Sequence, residues 1–354
     1  MLRASAPLAY GCMRISQEQV AGSQLLFYSL IYKQRMMKKL FIGLTAIVCL
    51  QLMCEGQQQR LYTMFMYNKL GLNPGYAGYH ENGCVSAIYR NQWLGLEGSP
   101  ETQLLSFHTG FGGERLGFGL NLSRETIGIS SQITLDGIYA YKVPLGAGRL
   151  SLGAQASIRN MKVDYTDPAV VAVEDLALDQ GVDLGQDSRL VANFGAGLYF
   201  HSDRFYAGIS SPRMMNSDID LEENNLFIAK EEQHWYAMTG IVFPINYSLD
   251  FVPQVLGRYT RAAPLDFDIN ASVIWKKDYA FGLTFRTGGG AGDIAESLDL
   301  ILSAKVARGL LLGLSYDLTL SDLRQYSNGS IEVLVRYCFK EPGRQGVFVD
   351  PRYF

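Results

Sequence analysis

Apolar and polar residues alternate with a period of two along most of the chain after its first quarter. Within 115–124, Leu116, Phe118, Leu120 and Leu122 alternate with Gly117, Gly119, Asn121 and Ser123. Within 132–143, Ile133, Leu135, Tyr139, Tyr141 and Val143 share one face, and Thr134, Asp136, Ala140 and Lys142 share the other. The same pattern recurs where Phe267, Ile269, Val273 and Trp275 flank Asp268, Asn270 and Ser272, and where Leu310, Leu312, Leu314 and Tyr316 flank Gly313, Ser315 and Asp317. Period two is the signature of a β-strand, whose successive side chains point to opposite faces. Runs of about nine to eleven residues are long enough to cross a bilayer at a tilt, whereas strands of soluble sandwiches are usually nearer five or six. One face is aliphatic and aromatic and the other is small or charged, which suits lipid outside and a polar lumen inside.

Fourteen such segments are predicted, near 84–93, 103–111, 115–124, 131–143, 148–161, 190–200, 203–210, 233–243, 247–259, 266–275, 278–286, 296–306, 309–318 and 331–339. Their connections alternate in length. Long ones at 94–102, 125–130, 162–189, 211–232, 260–265, 287–295 and 319–330 are separated by short ones at 112–114, 144–147, 201–202, 244–246, 276–277 and 307–308. An even-stranded barrel with both ends in the periplasm requires this sorting, with long loops outside and short turns inside. The fold class expected is therefore all-β: a transmembrane antiparallel β-barrel of about 14 strands, preceded by a cleaved signal peptide. Residues 84–339 form the barrel and 340–354 a C-terminal tail.

The signal is read from Lys38 and Lys39, followed by the apolar run Leu40–Met53, which is shorter than the ~20 residues a spanning helix needs. Small residues flank a cleavage point before Gln57, so 37–56 is the signal peptide. Residues 1–36 read as upstream sequence translated from an early start codon, the alternative being an extended targeting region. Lipidation at Cys54 is disfavoured by Met53, which stands where a small side chain is wanted. Removing 1–56 leaves 25 basic and 32 acidic residues, a net charge of −7. That balance excludes nucleic acid as a partner, since phosphate binding needs a basic face. Only Cys84 and Cys338 remain, with no spacing for zinc, so no metal and no cofactor are expected. The four histidines (His80, His108, His201, His234) form no motif. His108 shares the lumen face with Ser106 but has no acid nearby to complete a triad, and the chain reads as a non-enzyme.

Three features are candidate sites. Closing a barrel brings the first strand beside the last, so Cys84 and Cys338, 254 positions apart, become neighbours at the lower end of the seam. They could form a disulfide in an oxidising compartment, unless the register is offset. Segment 57–83, with Asn73, Pro74 and Tyr76, precedes the first strand and either folds into the lumen as a plug or docks a periplasmic partner, the alternative being a simple periplasmic strap. Loop 162–189 is acidic, with Asp175, Asp179 and Asp183 among its carboxylates. It is either a solvated loop or a surface for a basic client; its spacing matches no EF-hand.

Specific motifs then add a resemblance. Met66-Tyr67-Asn68, Leu72-Asn73-Pro74-Gly75-Tyr76-Ala77-Gly78, Tyr89-Arg90-Asn91-Gln92-Trp93, Gln103-Leu104-Leu105-Ser106-Phe107-His108, Asn193-Phe194-Gly195-Ala196-Gly197-Leu198-Tyr199, Ala262-Ala263-Pro264-Leu265, Gly313-Leu314-Ser315-Tyr316-Asp317 and Pro351-Arg352-Tyr353-Phe354 run collinearly through the chain. Together they resemble the PorP/SprF family of type IX secretion outer-membrane proteins. Gly329-Ser330-Ile331-Glu332 departs from the Ser-His-Glu entry that family often shows to the last strand. The resemblance implies a protein of the cell outer membrane that docks or retains secreted adhesins carrying C-terminal sorting domains, in some members supporting gliding. It implies further partners among type IX components, including a periplasmic peptidoglycan-binding lipoprotein, besides outer-membrane lipid. The competing expectation from the barrel alone is a passive channel or a hydrophobic-solute transporter.

Overall fold

The computed structural model describes residues 61–80, 82–112, 115–166, 186–215, 232–261, 263–288 and 295–339. Extension 1–36, signal peptide 37–56, tail 340–354 and the loop carboxylates Asp175, Asp179 and Asp183 lie outside the described residues.

Fifteen strand segments follow one another: β1 (Cys84–Asn91), β2 (Glu101–Phe111), β3 (Leu116–Ile127), β4 (Ser130–Leu145), β5 (Gly148–Asp164), β6 (Gln186–His201), β7 (Phe205–Ser211) and β8 (His234–Ile241). They continue as β9 (Phe243–Asn246), β10 (Leu249–Thr260), β11 (Ala263–Trp275), β12 (Tyr279–Thr287), β13 (Ala295–Ala307), β14 (Leu310–Thr319) and β15 (Ser330–Cys338). β8 and β9 are two halves of one stave: both pair with β10, and the ladder breaks at Val242. The wall is thus a closed antiparallel barrel of fourteen strands, each paired with its sequence neighbours and β15 returning to β1. The closing register sets Cys84 opposite Cys338 and Arg90 opposite Glu332.

Burial alternates along the strands as the sequence pattern requires. On β3, Phe118, Leu120 and Leu122 are exposed on the outer face, and Gly117, Gly119, Asn121 and Ser123 are buried toward the lumen. β4, β12 and β14 repeat this order. An outside that is apolar and an inside that is polar is the reverse of a soluble domain, and it places the hydrophobic face against lipid tails. No described helix is long and apolar enough to cross a membrane.

The connections sort to two rims, with one difference from expectation. Long loops were expected at 125–130 and 260–265, but β3 and β4 meet at a two-residue turn, 128–129, and β10 runs to Thr260 with β11 beginning at Ala263. The backbone ladder continues through the polar pairs Glu125↔Gln132 and Thr126↔Ser131. Main-chain pairing above the membrane needs no apolar side chains, so the strands outrun the hydrophobic pattern that revealed them. The other loops of that rim are long, and every connection of the opposite rim is short.

Candidate functional site

The lumen is occupied by the chain that precedes β1. Residues 62–70 and 72–78 are buried almost completely, including charged Lys69 and polar Thr63 and Asn73. The segment has little regular structure: a 3-10 turn at Phe65–Tyr67, one helical turn, α1 (Lys69–Leu72), and a second 3-10 turn at Pro74–Tyr76. Asn73 starts that last turn by accepting a hydrogen bond from the Gly75 amide (2.8 Å), and Pro74 follows with its φ preset for a tight turn. Its own short turns satisfy part of the backbone, as where the Asn73 backbone amide donates to the Lys69 carbonyl, and the barrel wall supplies further partners.

The upper contact lies near the long-loop rim. Arg90 donates to Asp317 (2.7 Å), to Glu332 (3.2 Å) and to the Thr63 hydroxyl (2.6 Å). Thr63 in turn donates its hydroxyl to Asp317, and the amides of Thr63 and Met64 donate to the two Glu332 oxygens at 2.8 and 3.1 Å. Beside this knot, Arg286 and Arg258 grip Asp268 at 2.9 and 2.8 Å, and Arg286 reaches the Tyr62 carbonyl. Buried charges require such mutual pairing because desolvation is costly.

The lower contact lies near the short-turn rim on the opposite wall. The Asn73 amide donates to the Leu198 carbonyl (2.9 Å), and Ser210 donates to the Leu72 carbonyl (2.7 Å). Glycines in the wall make room. A Cβ on Gly153 would stand 2.2 Å from the Pro74 carbonyl carbon, and one on Gly117 2.1 Å from the Ala77 oxygen. These positions admit no side chain while the segment is seated.

Between the two contacts, Lys69 lies over the Tyr206 ring at 4.0 Å. Burial, with Arg336 nearby, holds the Lys69 ammonium well below its ordinary range. Tyr76 stacks on Tyr79 (5.3 Å) and touches Tyr199 (5.4 Å) and His108 (5.2 Å). His80 and His201 join the same cluster. Three of the four histidines therefore meet, although nothing in their sequence spacing announces it. Their neighbours are aromatic rings, and burial, with His108 beside it, holds the pKa of His80 well below its ordinary range.

Of the sequence-derived candidates, Asn73, Pro74 and Tyr76 sit together in the lumen with the protein's own wall as their partner. Cys84 and Cys338 are joined by a disulfide, with Cα atoms 4.0 Å apart. His80 offers a ring nitrogen within 4.8 Å of both sulfurs, but a disulfide leaves no thiolate to hold a metal. The residues that sequence reading did not single out are Thr63, Lys69, Asp317 and the wall glycines. The inward charges were legible as lumen residues, but which of them the inserted segment would meet was not.

A family profile described as "Type IX secretion system membrane protein PorP/SprF" matches residues 55–337. The chain belongs to this family. As a PorP/SprF protein it is a component of the outer membrane with a docking or transport role in type IX secretion, and it is not an enzyme. No curated protein matches the sequence. Among solved structures it is similar to the CymD monoaromatic hydrocarbon channel, with a TM-score of 0.50 at 12% identity over 81% of this chain and 95% of that one. It is also similar to the toluene transporter TbuX of Ralstonia pickettii, with a TM-score of 0.47 at 10% identity over 81% and 96%. At such identity the likeness to CymD speaks for the barrel fold alone.

Proposed function

We propose that this PorP/SprF protein docks secreted surface proteins that carry a type IX C-terminal sorting domain and holds them at the outer membrane. The observation that carries the reading is the filled lumen: a segment hydrogen-bonded to buried wall charges at one end and resting on glycine seats at the other leaves little room for a solute path. This supports binding over conduction, and therefore a platform over a channel. The clients are adhesin-like proteins held at the long-loop rim, which in outer-membrane barrels faces outward. The acidic loop carrying Asp175, Asp179 and Asp183 is a surface that suits a basic client by charge. The short-turn rim faces the periplasm and is where a peptidoglycan-binding lipoprotein and other components of the system engage.

Deleting the gene tests this. The expected outcome is loss of at least one sorting-domain protein from the cell surface, read by quantitative proteomics of shaved cells, with permeability to small solutes unchanged. An intact surface proteome together with lost uptake of a hydrophobic solute would establish the transporter reading instead.

A further inference from the structure

The outer face of β11–β15 carries a groove that neither the plug nor the rims explain. Register sets two levels of outward side chains side by side. One runs Trp275, Tyr279, Ala304, Leu312 and Val335, and the other, farther from the short-turn rim, runs Val273, Phe281, Leu302, Leu314 and Val333. Ala304 is the smallest residue of both levels, its side chain ending at Cβ between Tyr279 and Leu312. An open groove of about 760 Å³ lies over these two levels, walled by apolar and aromatic side chains, with Ala304 among its lining residues. Five strands at ~4.8 Å spacing make it roughly 19 Å wide.

An apolar dent in a membrane wall will take up any lipid tail, but the rim beside it is selective in charge. β11 and β12 are joined by the turn Trp275-Lys276-Lys277-Asp278, closed by the Asp278 amide donating to the Trp275 carbonyl (3.1 Å). Both lysines are left-handed, with φ of 51° and 57°. This geometry is the one for which Asn-Gly is favoured, because most L side chains resist positive φ. Here it is built from two lysines, both exposed, with the Lys276 ammonium 4.6 Å from the Trp275 ring centroid. Arg308 stands exposed at the next short turn. Trp275 and Tyr279 occupy the level where aromatic belts meet headgroups.

We propose that this face is a binding site for an anionic phospholipid of the periplasmic leaflet. An acyl chain fills the hollow over Ala304, and the phosphate rests on Lys276 and Lys277. The site depends on the outer-membrane placement of the chain and not on its docking role. Purified protein in mild detergent, offered equal amounts of phosphatidylglycerol and phosphatidylethanolamine, is read by native mass spectrometry. The wild type is expected to retain phosphatidylglycerol in preference. Replacing the pair by Lys276→Asn and Lys277→Gly keeps a turn these residues adopt freely and should lower that preference roughly tenfold or more. Ala304→Trp should lose retention of both lipids, with the heat-dependent gel mobility of the folded barrel checked for each variant. Equal retention of the two lipids by the wild type would overturn the proposal, as would an unchanged preference in the lysine variant. So would a photo-crosslinker at position 304 that captures polypeptide in native membranes where lipid is expected.

Discussion

Arg90 shows how much a single lumen residue holds. It is 1% exposed and joins three parts of the protein: its own strand β1, the carboxylates of β14 and β15, and Thr63 of the inserted segment. Removing the guanidinium would strand Asp317 and Glu332 in a dry interior, which typically costs about 3–5 kcal/mol. Arg90→Ala is therefore expected to lower the urea midpoint of unfolding clearly, measured by the gel shift of the folded barrel. Arg90→Lys should recover only part of the loss, since an ammonium cannot reproduce the fork that reaches both acids. At this scale the sequence was partly readable. Alternation puts Asp317 on the face shared with Gly313 and Ser315, but that Arg90 meets partners 227 and 242 positions away is decided by closure, which no local pattern encodes.

At the scale of the element, the inserted segment is the part least legible in the sequence. Its apolar residues show neither strand nor helix periodicity, because it packs on all sides inside a tube and has no single wet face. Its one prominent local signal, Asn73-Pro74-Gly75, marks a turn without saying what the turn rests on. The strands are the opposite case: each obeys period two because one face meets lipid and the other the lumen. Their ends were underestimated where polar pairs such as Thr126↔Ser131 extend the ladder beyond the membrane. Deleting residues 61–80 is expected to open the tube while leaving the wall intact. Planar bilayers containing the truncated protein should show conductance steps where the full protein gives none. A silent truncation would mean that the inward side chains of the wall close the lumen by themselves.

For the whole molecule, the seam decides integrity. β1 and β15 are held by their ladder, by Arg90 with Glu332 near one rim, and by the Cys84–Cys338 disulfide near the other. A cross-link spanning 254 residues restricts the unfolded chain strongly, by about 5 kcal/mol in the loop-entropy account. Cys84→Ser is expected to lower the temperature at which the barrel loses its folded gel mobility, and the wild type treated with a reductant should match it. The sequence by itself determined the number of staves, the face each residue presents, the order of the strands and the juxtaposition of the two cysteines. These follow from alternation and from the requirement that a membrane sheet have no free edge. Only the tertiary structure decided that the lumen is filled, that Gly117 and Gly153 are seats, that three distant histidines share one cluster, and that a hollow with Ala304 in its lining marks the lipid face. The physical reason is that alternation is a property of each strand alone, whereas a seat, a cluster or a hollow exists only between strands and depends on the register in which they close.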